Sequence, residues 1–184
     1  DSARKNFRNE IYSDYKANRS DAPDDLIPQF EFIRKSVKAF NLPSIELMNY
    51  EADDLIATYV EQILKEGAKA TIVSSDKDLM QLYKKNIRIY DPMKNKFISN
   101  EDVNNKFGVN PEKVIDVQAL AGDSSDNVPG VPGIGVKTAA ELINQYGNLE
   151  NLLKNADKIK QNKRRETLIQ NKDKAIVSKK LVTL

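Results

Sequence analysis

Apolar positions recur with a helical period over residues 24–40, where Leu26, Ile27, Phe30, Phe32, Ile33 and Val37 are spaced to bury one face against a core. Pro28 fits only in the first turn of such a helix, so its regular part is expected to start a few residues after Asp24. Asn41-Leu42-Pro43 stops it. A second helix is predicted over residues 50–65, carrying Leu55, Ile56, Tyr59, Val60, Ile63 and Leu64, with Gly67 beyond its end. The period then changes. Residues 70–73 form a short apolar run with the pattern of a buried strand, residues 78–82 fit a short helix, and residues 87–90 and 96–98 read as a strand pair joined across Pro92. This alternation predicts an α/β layer with a largely parallel sheet. From Asn100 onward the segments 101–107, 111–120, 136–146, 149–154 and 163–180 are all helical in pattern. The chain therefore divides into an α/β core over residues 1–100 and a helical subdomain over residues 101–184. There is no internal repeat. Residues 1–19 are polar, basic and aromatic, without a helical stripe.

The composition narrows the chemistry. Of 184 residues, 40% are hydrophobic and 30% charged, enough to bury a core. There is no Cys, which removes disulfides, thiolate catalysis and Cys-ligated zinc. There is no His, which removes the Ser-His-Asp triad and the usual imidazole acid–base. Catalysis must run on carboxylates, Lys, Tyr, Ser or a hard metal held by oxygen. No apolar run has membrane-spanning length and no secretory signal opens the sequence, so a cytoplasmic protein without a membrane partner is expected. A net charge of +2 does not argue for nucleic acid; the distribution of charge has to.

Three acidic clusters stand out. Glu51, Asp53 and Asp54 occupy the start of the second predicted helix, where acids also simply complement the helix dipole. Asp76 and Asp78 follow a strand, at the end of an open α/β sheet where ligands bind; an N-cap role accounts for one of them but not both. Asp123 and Asp126 sit in Gly122-Asp123-Ser124-Ser125-Asp126-Asn127, which an ordinary Asx-turn would also explain. Seven carboxylates in three clusters suit Mg²⁺ or Mn²⁺, and a cleft gathering them would suit two ions flanking an in-line attack on a phosphodiester.

The stretch from Gly130 to Ala140 is glycine-rich but matches neither phosphate-loop template: Val136 separates Gly135 from Lys137, and no strand precedes it. It reads as a glycine turn between two helices. Gly133 and Gly135 would let backbone N–H groups approach a phosphate, with Lys137 supplying charge. Such a turn reads backbone, not base sequence; the plainer alternative is a tight helix connection. Basic residues cluster twice. Arg4, Lys5, Arg8, Lys16 and Arg19 lie beside Phe7, Tyr12 and Tyr15, a mixture suited to single strands or frayed ends. Lys154, Lys158, Lys160, Lys163, Arg164 and Arg165 follow the turn, where a solvated face is as good a reading as DNA contact.

Taken in order, Phe7-Arg8, Tyr15-Lys16-Ala17 with Arg19, Tyr50-Glu51-Ala52-Asp53-Asp54, Asp76-Lys77-Asp78-Leu79, Gly122 to Asn127 and the turn from Gly130 to Lys137 resemble the 5′ nuclease (flap endonuclease) family. The closest branch is the 5′→3′ exonuclease domain of bacterial DNA polymerases I. The resemblance implies a PIN-like α/β core, a largely parallel sheet flanked by helices, an arch segment at residues 4–20 and a helix–hairpin–helix subdomain. It implies a two-metal site of Asp1, Glu51, Asp53, Asp54, Asp76, Asp78, Asp123 and Asp126, holding Mg²⁺ or Mn²⁺. It makes Arg8 and Lys16 the basic residues beside the scissile phosphate, and Arg4, Tyr15, Arg19, Gly130, Gly133, Gly135 and Lys137 the DNA contacts, with K⁺ at the glycine turn. The implied substrate is DNA with a 5′ flap, nick or branched end, in replication and repair, Okazaki primer removal included. A polymerase domain on the same polypeptide is the implied partner. The family also carries a first strand with a further metal-binding Asp ahead of the point where this sequence opens, so a fragment is expected. The rival readings are a catalytically incomplete DNA-junction-binding module and a PIN-type ribonuclease; the helix–hairpin–helix turn disfavours the latter.

Overall fold

The structure, a computed structural model, describes residues 5–184. Its sheet has three strands in the order β1 (Ala70–Val73), β2 (Ile87–Asp91), β3 (Lys96–Ile98). β1 and β2 are parallel, with Ala70 opposite Ile87 and Val73 opposite Tyr90; β2 and β3 are antiparallel, with Ile89 opposite Ile98. Along β2 the side chains of Ile87, Ile89 and Asp91 turn inward and Arg88 outward, the period-2 alternation of a strand with one buried face. Among the described strands β1 forms an edge, and Val73 at its end is 65% exposed.

Helices α1 (Arg8–Ile11), α2 (Gln29–Ala39) and α3 (Ala52–Lys65) precede the sheet. α3 begins where a capping box closes it: the Glu51 side chain accepts from the backbone of Asp54, and the Asp54 carboxylate accepts from the Glu51 N–H at 2.9 Å. After β3 come α4 (Asn100–Phe107), α5 (Val114–Ala121), α6 (Val136–Tyr146), α7 (Leu149–Lys154), α8 (Asn162–Gln170) and α9 (Lys172–Val182). α5 is buried nearly all round and packs against α6 and α9. One apolar core runs from Ile72, Ile87 and Ile89 of the sheet through Val117 and Leu120 of α5 to Ile143 and Leu152. Ala57 and Val60 of the acidic helix and Val131 and Ile134 of the glycine turn belong to this same core.

Three expectations need correction. α2 starts after Pro28, as the proline required, but it buries nothing: Leu26, Ile27, Phe30, Phe32 and Ile33 are exposed, Phe32 by 65%. Its apolar stripe is real but largely exposed, with only Val37 half-buried. The expected helix over 163–180 is two helices, because the Asn171 side chain donates to the Thr167 carbonyl at 2.8 Å and its backbone N–H donates to the same oxygen, closing α8. The segment 111–120 likewise divides, into a 3₁₀ turn at Pro111–Lys113 followed by α5.

Candidate metal centre and nucleic-acid interface

Three chain segments bring their acids to one place. The capping box turns Asp54 inward and leaves Asp53, one residue earlier, facing the cleft. At the end of β1 the Asp76 N–H donates to Ser74 Oγ at 3.0 Å and the Asp78 N–H donates to Asp76 Oδ1 at 2.9 Å, so the chain turns with both carboxylates on the same side. The loop after α5 is closed by the paired backbones of Asp123 and Val128, and Asp123 Oδ1 accepts from the Ser125 N–H and hydroxyl. Glu51, Asp53, Asp76, Asp78 and Asp126 then line one cleft of about 200 Å³. Asp123 lines a small adjoining recess that shares Glu51, Asp53, Asp78 and Asp126 with it.

The acids divide by their partners. Among the described residues Asp53 and Asp78 face no cation in ion-pair contact; burial, and after it the neighbouring Asp76 carboxylate, push both up to about 6. Gln118, buried in α5, donates Nε2 to Asp78 Oδ1 at 2.5 Å and partly opposes that rise. Glu51, Asp126 and Asp123 are held by cations instead. Lys16 Nζ lies 2.6 Å from Glu51 and 3.6 Å from Asp126, Arg19 pairs with Asp126, and Lys77 pairs with Asp123. Burial alone would raise Asp123, but the hydrogen bonds from Lys77 and Ser125 outweigh it and hold its carboxyl below the usual range. Among the described residues no three Asp or Glu side chains are already closed up as a metal-holding set. The donor chemistry nevertheless fits a hard divalent cation: every donor is a carboxylate oxygen, and Asp53 and Asp78 are half-buried with no cation among the described residues in ion-pair contact.

Several residues singled out by sequence take other places. The Arg8 guanidinium is 1% exposed and fully engaged: Nη1 and Nη2 grip both oxygens of Asp54 at 2.8 and 2.6 Å, and Nε and Nη2 donate to the carbonyls of Leu181 and Thr183 at the end of α9. It ties α1, α3 and α9 together, and Asp54 turns its carboxylate to Arg8 rather than to the cleft. Tyr15 is also buried, its hydroxyl near Glu51 and Asp126, so its ring offers no stacking face. Asp1 and Arg4 lie outside the described residues. Two participants went unremarked in the sequence, Lys77 and Gln118. The alternation Asp76-Lys77-Asp78 was a signal for the first; nothing local marks the second.

The glycine turn splits by function. Gly130 has φ +57°, and a Cβ there would stand 2.4 Å from the Gly122 nitrogen, so it is required for two backbone strands to pass each other, and it is buried. Gly133 and Gly135 have open space where a Cβ would point, and both are exposed, with Lys137 in the first turn of α6. This is a bare backbone surface at a helix N-terminus beside a cation, the arrangement that accepts a phosphate.

A family profile described as 5'-3' exonuclease, N-terminal resolvase-like domain, matches residues 1–108, and one described as 5'-3' exonuclease, C-terminal SAM fold, matches residues 109–184. The chain belongs to the 5'-3' exonuclease family. Within that family it is 58% identical to the DNA polymerase I of Rhizobium leguminosarum over 184 residues, all of this chain and 18% of that one. It is 44% identical to the 5'-3' exonuclease of Aquifex aeolicus over 161 residues, 88% of this chain and 56% of that one. The chain thus spans a fifth to about half of the curated relatives it matches. Among solved structures, the 5'-exonuclease of bacteriophage T5 with bound divalent zinc ions superposes with a TM-score of 0.82 at 25% identity, over 97% of this chain and 70% of that one. A flap endonuclease of the same phage, in a pseudo-enzyme-product complex with DNA and metal ions, superposes at 0.81 and 25% identity, over the same shares. The boundary between the two profiles falls after α4, so that the resolvase-like part holds the sheet with α1–α4 and the SAM-fold part holds α5–α9.

Proposed function

We propose that this exonuclease-family chain carries the site of a divalent-metal-dependent phosphodiester hydrolase acting near the 5′ ends of flapped, nicked or branched DNA. Its products would carry 5′-phosphates. The observation that supports this most is the cleft itself: five carboxylates from three distant segments, in a chain with neither His nor Cys. Asp53, Asp76 and Asp78 would hold one ion, and Asp123, Asp126 and Glu51 a second. When bound, such ions supply activation of water and neutralisation of the charge that develops on the phosphodiester. The protein's own residues orient and exclude. Lys16 and Arg19, which line the cleft, would be among the cations that meet the phosphate to be cut. Arg8 fixes Asp54, and through it the first turn of α3 that aims Asp53. Gly133, Gly135 and Lys137 grip the duplex backbone without reading sequence. The Rhizobium relative supports a polymerase domain on the same polypeptide, and replication and repair as the setting.

A second reading, a DNA-binding part whose chemistry needs further chain, draws on two observations: among the described residues β1 has an unpaired edge and the apolar stripe of α2 is exposed, and these would seat an additional strand and helix. One experiment separates the two. The 184-residue chain and a version extended upstream in the natural gene are given a 5′-flap duplex with Mg²⁺ or Mn²⁺. Cleavage that requires the metal and is lost in Asp53→Asn and Asp78→Asn supports the hydrolase. Inactivity of both chains, with folding and flap binding intact, would overturn it and favour the binding part.

A further inference from the structure

Lys77 sits between the two acids that end β1, yet its charge is spent on neither; it crosses to the loop after α5 and pairs with Asp123. Asp123 has no free oxygen left. Its Oδ1 accepts from the Ser125 N–H at 2.8 Å and from the Ser125 hydroxyl at 2.5 Å, its Oδ2 meets Lys77, and its side chain is only 7% exposed. Lys77 lines the acid cleft and keeps 36% of its side chain exposed, so its long stem can swing out while Asp123, held by its own turn, stays. Among the described residues Asp53, Asp76 and Asp78 have no such guard.

We infer that Lys77 is a tethered counter-cation that occupies the Asp123 side of the cleft, so that a divalent ion reaches Asp123 only by displacing it. This rests on the metal-site reading above. The physical reason is exchange: a carboxylate buried in a crowd of acids is costly without a positive partner, and a lysine on the adjacent turn supplies one that can leave. The displaced ammonium is then released at the mouth of the cleft, where the cleaved strand's phosphates would arrive. Lys77 is a positioning residue in this scheme, acting through Asp123.

The test measures Mn²⁺ affinity by calorimetry, without DNA, for the full 184-residue wild type, Lys77→Met, Lys77→Arg, Asp123→Asn and the Lys77→Met/Asp123→Asn pair. Lys77→Met is expected to bind Mn²⁺ more tightly, by up to about fivefold, the upper end for a partly exposed ion pair, and Lys77→Arg to bind like wild type. In the Asp123→Asn background the Lys77→Met gain should vanish, because the pair is already broken. Unchanged or weaker binding by a folded Lys77→Met overturns the inference. So does an equal gain in the Asp123→Asn background, which would reduce Lys77 to a general charge effect. If wild type and Lys77→Met both fail to bind Mn²⁺, the metal-site reading falls and takes the inference with it; if both bind equally, only the inference falls.

Discussion

The two unguarded carboxylates make the stability of the metal-free protein fall as pH rises. Asp53 and Asp78 each stand at about 6 against an ordinary 3.8, chiefly through burial and then through Asp76. An acid whose folded pKa is raised binds more protons in the folded state, so stability is greatest below the unfolded value and is lost as pH rises from about 4 to about 6. Two units correspond to about 2.7 kcal/mol per group. Both groups share their repulsion with Asp76 and both keep solvent contact, so about 2 kcal/mol for the pair is the reasoned figure. That is roughly 4–8 °C in Tm for a chain of this length. Asp91, held to about 2 first by Ser75, and Asp102, held to about 2 first by Lys96, act in the opposite sense but only below pH 4, outside the window. Calorimetric melting in chelator should therefore show Tm falling between pH 4.5 and 7. Millimolar Mg²⁺ or Mn²⁺ should restore it at pH 7.5 and do little at pH 5, where protons hold the site. Asp53→Asn should flatten both dependences. A metal-free Tm that rises or stays level over this window, or a metal shift equal at pH 5 and 7.5, would refute the electrostatic account.

Other outcomes follow from single contacts. Arg8→Met leaves Asp54 as a buried, unpaired charge and should cost about 3–5 kcal/mol in urea unfolding; a loss below 1 kcal/mol would contradict the clamp drawn between α1, α3 and α9. Gly130→Ala forces a Cβ to 2.4 Å from backbone and should cost more than about 2 kcal/mol, whereas Gly133→Ala, strained only by its φ of +74°, should cost about 1 kcal/mol; equal losses would count against the interlock. Lys137→Ala should weaken duplex binding by a similar factor on unrelated sequences and lower the salt slope by about one, checked by fluorescence anisotropy against salt; sequence-dependent loss would contradict a backbone grip.

The elements legible in the sequence were those whose signals are local. The acid-rich start of the helix that becomes α3 and the apolar run Ala70–Val73 mark their own places, and the structure keeps both as helix and strand. The break at Asn171 was not legible, because a side chain competing for one carbonyl leaves no mark on periodicity. The stripe of α2 shows the opposite limit: periodicity reveals an apolar face but not whether anything covers it. At the site, the three acid clusters were visible as residue types, while their division into guarded and unguarded carboxylates was not. That division depends on Lys16, Arg19 and Lys77 reaching across the fold. The partner of Arg8 was hidden for the same reason: its side chain meets Asp54, forty-six residues away in the sequence.

The most direct test of the acid cleft is a crystal of this chain soaked in Mn²⁺ and measured at the manganese absorption edge. The account predicts anomalous density in the cleft lined by Asp53, Asp76 and Asp78, with at least one carboxylate oxygen of Asp53 or Asp78 in coordination contact, roughly 2.0–2.3 Å away. Manganese found only on outer surface acids, with the cleft empty at saturating metal, would contradict it.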